Sequence, residues 1–184
     1  MKHALILFAF VAVTVPAAEQ SIPLTPENTK IEWVLTDPLH TVRGTFKLKS
    51  GTITFDPESG KAGGSVVVDV KSGESGSEAR DRRMHANVLE SAKYPEAVFT
   101  PDRVEGALAP EGLSRIKVHG AFRIHGADHE MTMSVQATQT GGLMAADITF
   151  DVPYVAWGMK DPSNFLLRVG KTVRMNIHVS GALH

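Results

Sequence analysis

Beyond residue 29, apolar and polar positions alternate along most of the chain, the period-two pattern of half-buried strands. Ile31, Trp33 and Leu35 share one face. Gly44, Phe46 and Leu48 share the next, followed by Ile53 with Phe55 and by Val66, Val68 and Val70. The pattern returns over 116–124, 131–137, 144–152 and 173–179. Ser50-Gly51 reads as a two-residue turn setting Leu48 opposite Ile53 and Phe46 opposite Phe55, so that register and polarity agree. Gly126-Ala127 reads as a second tight turn, pairing Ile124 with His129, Phe122 with Met131 and Gly120 with Met133. A longer loop over 56–64, carrying Pro57 and three glycines, leads into Val66.

One segment departs from this period. Ser75-Gly76-Ser77-Glu78 fits a capping box, and 79–89 is free of proline and glycine, which predicts a short helical insertion over 77–89. Tyr94-Pro95 ends it before a strand near 97–100. About eight sequential strands with short turns predict an all-β antiparallel domain. A meander closed into a barrel is favoured, because closure removes exposed edges; a two-sheet sandwich is the alternative. At this strand number a barrel either fills with its own side chains or holds one slender ligand, and alternation is the same in both cases.

Residues 1–18 read as an export signal. A basic start, Met1-Lys2-His3, precedes an apolar run over 4–15 and the small residues Pro16-Ala17-Ala18. The run is shorter than the ~20 apolar residues of a membrane span. The expectation is a periplasmic or secreted protein whose residues 19–184 form one domain, as a monomer or homodimer. With no cysteine in the chain, no lipid anchor can sit beside the cut and the fold must rely on packing. A formal net charge of −1 and the lack of a long basic run give no electrostatic case for nucleic acid.

Several motifs taken in order resemble the YceI-like family of exported lipid-binding proteins. They are His40-Thr41-Val42-Arg43-Gly44-Thr45-Phe46; then Ser77-Glu78-Ala79-Arg80-Asp81 with Met84, Leu89, Tyr94-Pro95 and Phe99; then 118–126; then Val173-Arg174-Met175-Asn176-Ile177. Together they span roughly 28–182, whereas Tyr154 to Val169 does not align with the family pattern. The resemblance implies a lipocalin-like antiparallel barrel whose cavity holds a long polyisoprenoid or quinone-like lipid, for transport, storage or stress response, with no other cofactor.

On that reading, the inward faces offer Trp33, Phe46, Leu48, Phe55, Val66, Val68, Phe99, Val118, Phe122, Met131, Met133, Ile148, Phe150, Met175 and Ile177 as the cavity lining. The same residues would equally fill a solid core. Burial contributes ~0.8 kcal/mol per methylene, so a tail of thirty to forty carbons carries a gross term of ~25 kcal/mol or more. Chain ordering must cancel much of this. A tail therefore binds without polar contacts, and such a function leaves no catalytic motif.

Arg80, Asp81 and Arg83 are candidates for a polar mouth that meets a head group, since guanidinium pairs with phosphate. The competing role, which we prefer for Arg80-Asp81, ties the helix to neighbouring loops. The enzyme alternative is a small metalloenzyme or hydrolase using His40, His85 or His125. His125 and His129 have a spacing that would gather a metal on a helix, but in a hairpin it sends them to opposite faces, so no metal site is expected. No serine lies in a G-x-S-x-G elbow, so no catalytic residue is assigned. A third alternative is a filled-core, stress-related interaction module with an exposed apolar patch. Tyr154 and Trp157 are expected to pack a bend.

Overall fold

The computed structural model describes residues 19–37, 40–165 and 168–183; the predicted signal, 1–18, lies outside them. Among the described residues nine strands follow one another, with long connections only after β4 and β8: β1 (Gln20–Leu24), β2 (Thr29–Thr36), β3 (Thr41–Phe55), β4 (Ala62–Glu74), β5 (Glu96–Glu105), β6 (Gly112–Ile124), β7 (Ala127–Thr140), β8 (Leu143–Val152) and β9 (Val173–Ala182). Antiparallel neighbours run β3-β2-β9-β8-β7-β6-β5-β4, and β3 pairs again with β4. That last pairing closes an eight-stranded barrel, leaving β1 as an extra strand against the second half of β3.

β3 corrects one sequence expectation. Ser50-Gly51 is not a turn but the middle of a fifteen-residue strand. β1 pairs with Gly51–Phe55 on one edge while β4 follows the other, so the backbone around Gly51 is satisfied within the sheet. Gly51 also leaves room for Leu24, whose Cβ and Cδ1 would lie 3.1 Å from any added methyl group. Register breaks between Thr45 and Lys47 and between Leu48 and Ser50 bend β3 around the barrel. At the first break the Lys47 N–H donates to Ser72 Oγ at 2.7 Å instead of to the ladder.

The β6–β7 turn is a second correction. Its two residues are His125 and Gly126, with φ of 52° and 80°. Positive φ at both positions is the type I′ geometry that matches strand twist. Ile124 therefore pairs with Ala127, Phe122 with His129 and Gly120 with Met131. Because the register differs by two residues, every side chain keeps the face that alternation assigned to it. A further break falls at Pro101, which has no N–H to donate.

The helical insertion forms where the sequence placed it, in two parts. Helix α1 (Glu78–Arg83) continues as a single π-helical stretch, Met84–Val88, closed by the Leu89 N–H donating to Met84 O at 2.9 Å. The expected capping box is not made: Ser77 is the N-cap, and its hydroxyl makes no capping bond. Ser75 instead takes the Arg80 Nε–H at 2.7 Å and bonds the Asp81 carboxylate. His85 anchors the π-helical part through Ser91 Oγ at 3.0 Å and Gly73 O at 2.8 Å.

Candidate functional site: an apolar cavity along the barrel

Three clusters of apolar residues line the inside of the barrel. Phe99, Phe122, Met133 and Tyr154 belong to one, Leu24, Ile31, Leu48 and Val179 to the second, and Val135, Ala137, Met144 and Ala146 to the third. They do not merge into a solid core. Among the described residues no large side chain is completely buried. Inward residues such as Phe46, Val66, Val68, Val118, Ile148, Phe150, Met175 and Ile177 are only half-buried. These residues face a cavity of about 1010 Å³ inside the wall. At the ~30 Å³ share of a water molecule, this holds roughly thirty methylene-sized groups.

Of the lining residues expected from sequence, all but Leu48 and Met131 border the cavity. Leu48 lies at the second β3 register break and is buried in the cluster with Leu24, Ile31 and Val179. Met131, two residues closer to the turn than Met133, packs against the cluster around Phe122 without reaching the lumen. Ile31, Leu35, Val70 and Val135 also border the cavity; they share faces with Trp33, Val66 and Met133, so extending the same alternation finds them. Met159, Lys160, Pro162 and Ser163 also line it but lie in the irregular β8–β9 connection, where no period applies.

The polar lining is gathered where β2 ends and β3 begins, beneath α1 and the β8–β9 connection. Asp37, His40, Arg80, Arg83, Asn87, Lys160 and Asp161 border the cavity there. At the opposite end the cavity is bordered by apolar residues, among them Leu24, Ala137, Met144 and Val179, which are buried. Arg80 and Arg83 thus stand at the mouth, and Asp81 does not border the cavity. Arg80 also donates to Ser75 O at 2.8 Å, so the Arg80-Asp81 pair ties the helix to the strand end before it.

The rest of the mouth is fixed by packing. Tyr154 is 5 % exposed, and its hydroxyl donates to Gly170 O at 2.8 Å, pinning the β8–β9 connection to the barrel. Burial, with Asp161 nearby, pushes the Tyr154 phenol up to about 12. Its contribution to stability is therefore complete below the ordinary phenol value of ~10 and is lost as pH rises through about 12. Tyr154→Phe is expected to cost about 1 kcal/mol at pH 7. Thermal melts of both proteins should show that gap narrowing above pH 10. Trp157 stacks on His129, with centroids 4.1 Å apart and planes within 8°.

The histidines have separate structural partners. His125 Nε2 lies 2.7 Å from Glu90 Oε2, joining the β6–β7 turn to the end of the helical insertion, and its ring packs on Tyr94. Both His125 and Glu90 have positive φ, the two non-glycine cases among the described residues. The His40 N–H donates to Asp37 Oδ1 at 2.6 Å. Among the described residues, one cluster has metal-ligand spacing, Asp102, His119 and Glu130 on the outer wall. None of the histidines weighed from sequence belongs to it.

A family model described as YceI-like domain matches residues 23–181, and the chain belongs to that family. Among solved structures, it is similar to BcnA of Burkholderia cenocepacia at 18% identity and a TM-score of 0.69, covering 84% of this chain and 96% of that one. A polyisoprenoid-binding domain from Saccharophagus degradans, implicated in plant cell wall breakdown, is 14% identical with a TM-score of 0.65; the match covers 89% of this chain and 98% of that one. The Campylobacter jejuni YCEI protein is 18% identical with a TM-score of 0.65, covering 80% and 88%. No curated protein matches in sequence.

Proposed function

We propose that this YceI-like chain is an exported, non-catalytic carrier that shields one long apolar lipid, isoprenoid in type, inside its barrel. The observation that carries this reading is the closed wall around an apolar cavity of about 1010 Å³. That volume suits a tail of about thirty carbons, and the structural similarity to a polyisoprenoid-binding domain supports the same ligand class. The tail lies along the lumen and the head lies among the polar groups of the mouth. Removal of methylenes from water supplies the affinity, so the site needs no charged anchor at depth. The N-terminal signal reading supports export to the periplasm or beyond.

Native mass spectrometry of protein purified from its own host, followed by organic extraction, tests this. One apolar lipid per chain, lost on extraction and restored by adding it back, is the expected result. Protein that carries no lipid and takes none up would sink the proposal. N-terminal sequencing of the same material is expected to begin near Glu19; an intact Met1 would overturn the export assignment.

A further inference from the structure

We propose that the mouth of the barrel docks on an anionic phospholipid bilayer, with Phe165 entering the surface and Arg83 and Lys160 pairing with lipid phosphates. This inference rests on the lipid-carrier reading and concerns how the ligand enters. Phe165 is the large apolar residue with complete exposure among the described residues. It directly follows Lys160–Asn164, residues that border the cavity mouth. A phenyl ring held wholly in water beside the opening has no role in the barrel's own packing, but it suits insertion at a headgroup boundary.

The charges at the same rim point the same way. Arg83 and Lys160 border the mouth from two different elements, and neither has an ion-pair or hydrogen-bond partner among the described residues. The anions of the rim are already engaged. Asp161 accepts the Ser163 N–H at 2.9 Å and lies 3.6 Å from Lys171 Nζ, while Asp37 accepts the His40 N–H. Arg80 is held by Ser75. The free charge presented at the opening is therefore positive, and each cation near an anionic leaflet adds to attachment.

The ligand's solubility makes contact necessary. The cavity-bordering residues of the far end, such as Leu24, Ala137, Met144 and Val179, are buried and apolar, whereas this rim is polar and exposed, so the tail enters past the rim. Moving the whole tail through water first would expose every methylene at once. A rim seated in the headgroup layer lets the tail pass from hydrocarbon to lumen a few carbons at a time.

Two measurements test this. The first is co-sedimentation of the purified protein with vesicles of phosphatidylcholine alone or mixed with phosphatidylglycerol. Binding to the anionic vesicles only, weakening as salt rises, is expected; Phe165→Ser and Arg83→Gln/Lys160→Gln should each lower it about tenfold. The second is transfer of geranylgeraniol from those vesicles to the protein. Its rate should rise with vesicle concentration and fall in Phe165→Ser, although that variant's equilibrium affinity for detergent-solubilised geranylgeraniol matches the parent's. Absent vesicle binding, or a transfer rate independent of vesicle concentration, would overturn the docking proposal. Failure of the parent protein to take up geranylgeraniol from detergent would instead overturn the lipid reading beneath it.

Discussion

Ile148→Trp is expected to abolish lipid uptake while leaving the barrel folded. Ile148 is the residue that packs against all three apolar clusters, on β8 opposite Val135 and Ile177. It is half-buried only because it faces the lumen. An indole there projects into the path of the tail rather than into packed atoms. Excluding even four methylenes from the lumen forfeits ~3 kcal/mol, roughly a hundredfold in affinity. Thermal stability should stay within about 1 kcal/mol of the parent, since the added bulk meets open volume. Ile31→Ala, at a residue 2 % exposed, supplies the opposite control and should cost ~2–5 kcal/mol. Titration with geranylgeraniol and thermal melts on both variants separate the two effects. Unchanged uptake by Ile148→Trp would place the lipid somewhere other than the barrel axis.

The second large effect is on folding. Gly44 lies opposite Trp33 on β2, and a Cβ there would lie 2.1 Å from Glu74 O and 2.4 Å from Trp33 Cε2 and Cζ2. The first contact is with backbone and the second with a ring that is itself 4 % exposed, so neither can give way cheaply. Gly44→Ala must push Trp33 out of place or part β3 from β4. We expect a loss of about 3 kcal/mol, at the upper end of overpacking costs, and a Tm lower by roughly 10 °C. Gly181→Ala, whose added methyl would meet Asn28 Nδ2 at 3.4 Å, should change Tm by no more than a degree or two. Equal stability of the two variants would mean that the Trp33 contact does not hold the wall.

These two residues also mark how far the sequence reaches. Alternation identified Ile148 as inward and set Gly44 on the face of Phe46 and Leu48, because in a strand the side-chain direction follows from the residue count alone. The same rule survived the wrong turn at Gly126-Ala127, since a slip of two residues moves partners without moving faces. At Leu48 it gave the face but not the surroundings: the side chain points inward, yet beside the register break it is buried among Leu24, Ile31 and Val179 and does not border the cavity. It was silent over 159–163, which reach the mouth through an irregular connection that Tyr154 pins.

Ser50-Gly51 shows the other kind of failure. As a dipeptide it has the chemistry of a tight turn, but β1 and β4, from two other parts of the chain, flank it and keep it extended. Local preference amounts to about a kilocalorie per mole, and a row of ladder bonds outweighs it.

The amino-acid sequence by itself determined an antiparallel all-β domain, its inward faces, the helical insertion and the family. Whether those faces meet or stand apart was decided only by the tertiary structure. A filled core and a hollow one require the same apolar residues at the same period. Eight strands closing through the β3–β4 pairing allow either outcome, and here the packing of the inward side chains against the wall leaves a lumen of about 1010 Å³ between them.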